Sequence, residues 1–246
     1  MRVAVAGATG AVGVHVVAAL AERGVEVVPL TRGAGVDLLT GSGLDGRLDG
    51  CDAVVDVASV QTLRTKQAVE YFTRSTENLL AAEAASGVGH HLALSIVGID
   101  GAEVGYYAGK VAQERAVVGG SIPWTILRAT QFHEFADQLR ARGRLGPVIV
   151  VPTMTIQPVA AVEVGAALAD AVLAGPSGRI PDLAGPRVEQ LADLVRRCER
   201  APGARTPVFS VPMPRLIMRT SGLLAGPGAR LGKVSFDEWL AGRTRD

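Results

Sequence analysis

The sequence predicts an α/β protein built on a Rossmann-type, doubly wound parallel sheet, with a small C-terminal substrate-binding region. Three observations carry this expectation. Short aliphatic runs alternate with helical patterns through the first half of the chain. A glycine-spaced turn, Gly7-Ala8-Thr9-Gly10-Ala11-Val12-Gly13, directly follows the first of those runs. Hydrophobic residues make up 48% of the 246 but aromatic ones only 4%, so the core is Val, Leu, Ile and Ala. Aliphatic runs of that kind suit parallel strands covered on both faces. Strand–helix–strand units cross over right-handedly and so give a parallel sheet.

The elements follow in order. Val3-Ala4-Val5-Ala6 is a short buried strand. Val12, Val16, Val17 and Leu20 then recur at helical spacing, and Gly24 is a C-terminal stop. Residues 25–30 form the second strand, residues 36–38 a very short third, and 41–48 a turn-rich stretch. Residues 52–57 read as the fourth strand, 70–86 as a long helix and 91–96 as the fifth strand. A helix over 106–118 and a sixth strand over 124–128 complete the pattern. Beyond it the rhythm loosens, with a strand at 148–151 and a helix at 162–173. Residues 1–130 are thus the dinucleotide-binding core. Residues 131–246 supply pocket segments and a C-terminal arm of the same compact domain. Within that arm Pro and Gly punctuate two apolar clusters, so residues 202–224 are expected either to close over the substrate pocket or to pack as a static arm.

Composition narrows the function classes. With 25 basic against 24 acidic residues, nothing resembles a nucleic-acid footprint. The expected partner is a small molecule or a second copy of the chain, as a homodimer. Cys51 and Cys198 form no C-x-x-C and no metal-ligand cluster, which points to no metal and to a reduced, cytoplasmic setting. Residues 3–20 are small and apolar, but three glycines and His15 argue against a signal peptide, and no other run is long enough to span a membrane.

A strand, then Gly7-x-x-Gly10-x-x-Gly13, then a helix is the context a phosphate-binding turn requires. Glycine lets the backbone approach a pyrophosphate closely, and the helix N-terminus offers free N–H groups and a positive dipole end. Gly7, Thr9, Gly10, Ala11, Val12 and Gly13 are therefore the expected cradle. The second strand ends in Leu30-Thr31-Arg32, where an acidic residue would bind the ribose of NAD. Arg32 instead suits a 2′-phosphate, so NADP (as NADPH) is favoured over NAD. Asp37 and Leu38 are placed against the adenine, and Ala58 and Ser59 are small enough to let the cofactor pass.

These residues carry a resemblance. The chain resembles the atypical short-chain dehydrogenases/reductases, in their NmrA-like and isoflavone-reductase-like branch. The matching stretches are 5–13, 30–32, Asn78-Leu79-Leu80-Ala81-Ala82, Leu94-Ser95-Ile96-Val97-Gly98, residues 106–114 from Tyr106 to Glu114, and 123–132. The resemblance implies an NAD(P)-dependent oxidoreductase with a Tyr-x-x-x-Lys pair and an upstream Ser, here Tyr106, Lys110 and Ser95. Tyr106 and Lys110 stand four apart, on one helix face. A phenol with a pKa near 10 needs a neighbouring ammonium to exchange protons at neutral pH. Lys110 is also placed on the nicotinamide ribose, and Ser95 on a substrate carbonyl. The branch also holds members that lack the Tyr and are not enzymes, and members that lean on the Lys.

Gln131, Phe132 and His133 follow the sixth strand, where a substrate is expected, with packing as the other role for His133. Asp56, near the end of an apolar strand, either accepts from loop N–H groups or reaches the site. The sequence thus describes an NADPH-dependent reductase of a small carbonyl, enone or quinone-like substrate. The alternatives are a non-catalytic NADP-binding regulator or sensor, and a non-redox isomerase or cyclase.

Overall fold

The computed structural model describes residues 1–201, 203, 206–212 and 224–243. The first half is the expected alternation: β1 (Arg2–Ala6), α1 (Gly13–Glu22), β2 (Glu26–Leu30), β3 (Ala53–Asp56), α2 (Thr65–Ser86), β4 (His91–Ile96), α3 (Gly105–Gly119) and β5 (Trp124–Ala129). There follow α4 (Glu134–Arg142), β6 (Arg144–Leu145), β7 (Val148–Pro152), β8 (Thr155–Ile156) and α5 (Ala161–Ala174). The last elements are β9 (Gly178–Arg179), β10 (Leu183–Ala184), β11 (Glu189–Gln190), α6 (Leu191–Arg200), β12 (Val208–Val211), β13 (Arg230–Leu231) and α7 (Phe236–Arg243).

The main sheet runs β2-β1-β3-β4-β5-β10-β13, with β9 also on β5. Its pairs are parallel, as buried Val/Ala strands with helical crossovers demand. The order reverses between β1 and β3, so a crevice opens beyond their carboxyl ends, where ligands bind in such sheets. One face buries Val3, Val5, Val16, Leu20, Leu92, Val164 and Leu168 beneath α1 and α5. The opposite face carries α2 and α3, and these two helices meet closely. A Cβ on Gly109 of α3 would come within 2.8 Å of the Ala68 backbone of α2. This approach presses the first turns of α3 over Phe72, which is fully buried.

A third core lies apart from the sheet. Ala136, Ile149, Val151, Ile156, Leu194, Val195 and Phe236 pack together from α4, β7, β8, α6 and α7. The described elements after residue 130 therefore divide: α5, β9, β10 and β13 return to the main sheet, and α4, β6, β7, β8, β11, α6, β12 and α7 build this lobe.

Some expectations differ from the structure. No strand forms at 36–38; Asp37 makes an isolated bridge to Ser42, because its side chain closes a turn there. The long helix starts at Thr65 rather than residue 70, its first turn being polar and so lacking an apolar stripe. The lid expected at 202–224 lies mostly outside the described residues; within it, β12 pairs in parallel with β7. Among the described residues no helix is long and apolar enough to cross a membrane. No group of three or more His, Cys, Asp or Glu stands ready for a metal there.

Candidate active site

The turn after β1 folds as its glycines allow. Gly7 has φ 81°, the left-handed region, and its N–H donates to Leu30 O at 3.3 Å. Gly10 N–H donates back to Gly7 O at 2.9 Å. Helix α1 begins at Gly13 with no side-chain cap and no acidic residue in its first turn. The amides of Ala11, Val12 and Gly13 make no hydrogen bond among the described residues. Uncapped amides at a helix start leave a positive end facing the crevice. Thr9, Gly10 and Ala11 are exposed there, and a Cβ on Gly10 would meet only Gly7 O, at 3.2 Å. The turn fits a dinucleotide pyrophosphate on these grounds.

At the end of β2, Thr31 Oγ1 accepts from Ala34 N and caps a short 3-10 turn, Arg32–Ala34. Arg32 is exposed, and its side chain makes no ion pair or hydrogen bond among the described residues. Arg47, which no sequence motif marks, reaches the same turn through Ala34 O at 2.7 Å. Asp37 Oδ1 accepts from Leu39 N at 2.9 Å, and Asn78 Nδ2 of α2 donates to Leu38 O. Asp37 and Leu38 thus form a braced turn on the crevice rim. Ala58 is buried against Gly7, whereas Ser59 is exposed.

The three residues of the Ser-Tyr-Lys grouping are distributed differently from the expectation. Tyr106 Oη lies 2.8 Å from Ser59 Oγ, not on Ser95. Burial raises the Tyr106 phenol; Ser59 works against that shift and Asp56 adds to it. Ser95 is 2% exposed, and its Oγ makes no hydrogen bond of good geometry. It stands close enough to Glu114 to help hold that carboxyl below its usual range. Lys110 is 4% exposed; its Nζ donates to Leu94 O at 2.5 Å and to Gln113 Oε1, and lies 4.8 Å from the Phe72 ring centre. Burial pulls its pKa down to about 8, against the pull of Asp56 and Glu114. Tyr106 and Lys110 therefore flank Phe72 without a hydrogen bond between them.

Asp56 settles the question its sequence position raised. Its Oδ1 accepts from Ala58 N at 2.9 Å and its Oδ2 from Gln113 Nε2 at 2.7 Å. Behind this row Arg128 pairs with Glu114 at 2.8 Å and Asp100 at 2.6 Å, tying β5 to α3 and to the loop that leads into Tyr106. Tyr71 of α2 completes an aromatic wall with Phe72, Tyr106 and Tyr107, and burial with nearby Asp56 pushes its phenol up to about 12.

Beyond β5, Gln131 is buried and both atoms of its amide lack a partner. Phe132 is half-buried against the α1/α5 core. His133 is 1% exposed; its Nε2 donates to Val234 O at 3.0 Å, and its ring packs between Phe236 and Trp239. Burial lowers its pKa, so it stays neutral. Its contacts are those of packing, the second of the two expected roles.

Comparison with known proteins bears on the family and the fold. Residues 3–101 match the model of the NAD dependent epimerase/dehydratase family. The (4-alkanoyl-5-oxo-2,5-dihydrofuran-3-yl)methyl phosphate reductase of Streptomyces griseus is 31% identical over 218 residues, 78% of this chain and 72% of that protein. The NADPH-dependent quinone oxidoreductase of Escherichia coli, in complex with NADPH, superimposes with a TM-score of 0.75 at 16% identity, over 98% of this chain and 99% of that one. The UDP-glucose-4-epimerase of Stenotrophomonas maltophila, with bound NAD, gives 0.72 at 15% identity, over 100% and 99%. The last two likenesses establish a shared fold.

Proposed function

Because the chain belongs to the NAD-dependent epimerase/dehydratase family of atypical short-chain dehydrogenases/reductases, and is an NAD(P)-dependent enzyme of that class, we propose that it is an NADPH-dependent reductase of a conjugated enone, a quinone or a related small carbonyl compound. The observation that carries this reading is the Tyr106–Ser59 hydroxyl pair, 2.8 Å apart, with Ser59 directly following Ala58, whose backbone packs on Gly7 of the glycine turn. The named substrate of the Streptomyces griseus relative holds a ring double bond conjugated to carbonyl groups, which favours an enone over an isolated ketone.

In this reading the free amides at the start of α1 hold the pyrophosphate and Arg32 grips the 2′-phosphate. When bound, the dinucleotide supplies the reducing equivalent. Tyr106 Oη gives a proton to the substrate, and Ser59 Oγ, already its partner, stabilises the phenolate left behind. Ser59 thus stands beside Tyr106 where the resemblance placed Ser95, and its part is to support the phenolate rather than to polarise the carbonyl. Lys110, buried behind them, adds positive charge to the inner wall. Gln131 offers the substrate its two unpartnered amide atoms, with Phe132 beside it. Two free, buried cysteines, Cys51 and Cys198, suit a reducing cytoplasm.

The test is a fluorescence titration with NADPH and NADH, then an NADPH-consumption assay against a panel of enones, quinones and ketones. Turnover of a panel member with product reduced at the double bond or carbonyl supports the proposal. NADPH binding with no consumption by any of them, or conversion without net consumption, points instead to a sensor or an isomerase.

A further inference from the structure

Lys110 has unusual company for a cation. Its two hydrogen-bond acceptors, Leu94 O and Gln113 Oε1, are both neutral, and a third face meets the Phe72 ring. An amide side chain can turn either its oxygen or its nitrogen to a neighbour, and only the oxygen can accept from an ammonium. The direction of Gln113 is set from its other side. Its Nε2 donates to Asp56 Oδ2 at 2.7 Å, while Asp56 Oδ1 is fixed by the N–H of Ala58 at 2.9 Å. A carboxylate accepts and does not donate, so Gln113 must present its nitrogen to Asp56 and its oxygen to Lys110. The three side chains are all buried and come from two elements, β3 and α3. They form one directed row from the Ala58 amide, under the crevice, to the Leu94 carbonyl of β4.

We infer that Asp56 and Gln113 are positioning residues for Lys110: the carboxylate sets which way the carboxamide faces, and the carboxamide oxygen holds the ammonium at the inner wall of the crevice. The way Lys110 is held does not depend on the proposed function; only its consequence for NADPH rests on that reading. The charges facing Lys110 are Asp56 from β3 and Glu114 from its own helix, the latter paired with Arg128 of β5. The phenols of Tyr71 and Tyr106 and the His91 ring of β4 also sense Asp56.

The chain has three lysines, Lys66, Lys110 and Lys233, so a carbon-13 NMR titration of the lysine ε-methylenes separates them, with Lys110→Met for assignment. In the wild type the Lys110 resonance should titrate near pH 8. Gln113→Met removes the acceptor, and Asp56→Asn lets the amide turn over; each should lower that midpoint by one unit or more and weaken NADPH binding about tenfold. The exchange variant Asp56→Asn with Gln113→Glu keeps one carboxylate and the whole row. The carboxamide placed on β3 would still accept from Ala58 N and donate to the side chain at position 113, which now carries the charge in contact with Lys110. It should raise the midpoint above that of the wild type and restore NADPH affinity to within threefold. A merely structural pair would lower thermal stability and leave the Lys110 titration where it was. An unchanged Lys110 midpoint in folded Gln113→Met, or a lowered one in the exchange variant, overturns the inference. Should Gln113→Met fail to fold, the exchange variant decides. Loss of NADPH binding in the wild type itself would sink the proposed function and leave this test standing.

Discussion

The backbone of Gly7 packs directly on that of Ala58: a Cβ on Gly7 would come 2.9 Å from both the Cα and the amide nitrogen of Ala58. The glycine is therefore demanded by the protein before any ligand arrives. Its φ of 81° adds a second reason, since a side chain there costs about 1–2 kcal/mol. The sequence pattern alone assigns Gly7 to the pyrophosphate; the packing on Ala58 gives it a structural role as well, so a bulky residue there costs the fold. Gly13 is equally constrained, because its Cβ would overlap the Gly7 carbonyl. Of the three, Gly10 is the least constrained: its Cβ would meet only the Gly7 carbonyl oxygen, at 3.2 Å.

Substitution within the turn should accordingly separate folding from binding. Gly10→Ala is expected to keep the thermal midpoint within a few degrees and to weaken NADPH about tenfold, or ~1.4 kcal/mol, by standing between the amides and the phosphate. Gly7→Ala and Gly13→Ala should lower the midpoint clearly, with or without cofactor. Calorimetry with NADPH beside thermal melts gives both numbers. Equal affinity for wild type and Gly10→Ala would remove the turn from the cofactor site.

Arg32 should decide between the two dinucleotides. It is exposed and its side chain has no protein partner among the described residues, so its removal costs the fold little. Losing a charge-assisted phosphate contact costs ~1.5–3 kcal/mol, a factor of about ten or more in NADPH affinity. NADH, which has no 2′-phosphate, should bind Arg32→Ala as it binds the wild type. A tighter NADH than NADPH constant for the wild type would refute the preference. An intact preference in the variant would move attention to Arg47.

The buried pair His91–Glu83 predicts a pH-dependent stability away from the crevice. His91 Nδ1 and Glu83 Oε1 are 2.7 Å apart, and neither side chain is exposed. Burial alone would lower the His91 pKa, but the Glu83 carboxylate and its hydrogen bond raise it above the usual value. A histidine whose folded pKa exceeds the unfolded value of about 6.5 stabilises fully below that pH and loses its contribution as pH climbs through the folded value. Glu83→Gln should cost ~3–5 kcal/mol at about pH 6, as removal of one partner from a buried pair does, or on the order of 10 °C in melting temperature. The gap between wild type and variant should narrow as the solution is made alkaline. A gap independent of pH would mean that the pair is not charged.

The sheet and the cofactor turn are legible in the sequence because both depend on short-range pattern. Four-residue aliphatic runs and glycines three apart are visible within a dozen residues. The lobe built after β5 is not. Helix α4 buries only Ala136 completely, so it shows no apolar stripe. Helix α6 does carry a signal, Leu191, Leu194, Val195 and Cys198 at helical spacing, and its neighbours Glu189 and Gln190 on β11 obscure where it starts. The site partners are hidden for another reason. Ser59 and Tyr106 are 47 residues apart, and Asp56 and Gln113 are 57 apart. Periodicity within one element says nothing about which side chains two distant elements bring together. Asp56 stands out as a carboxylate in an apolar strand, but Gln113 looks like any polar residue on a helix.

The last prediction concerns the hydroxyl pair. If Tyr106 is the proton donor, Tyr106→Phe should keep NADPH affinity, since the ring still packs edge-on against Phe72. It should lose most turnover, because general acid catalysis is commonly worth 10²–10⁴-fold. Ser59→Ala should have a smaller effect and a distinctive one. The Ser59 hydrogen bond favours the phenolate, so removing it leaves the Tyr106 pKa higher still. The basic limb of the turnover profile should then move to higher pH, with the rate lower at neutrality. Ser95→Ala, next to the last residue of β4 and beside Glu114, should leave that limb in place. The profiles are to be measured on whichever panel substrate the wild type reduces. A Ser95→Ala loss exceeding that of Ser59→Ala would place Ser95 on the substrate carbonyl, as the resemblance implies, and require α3 to shift when substrate binds. A wild-type rate in Tyr106→Phe would end the assignment of Tyr106 altogether and leave Lys110, whose ammonium titrates near pH 8, as the next group to test.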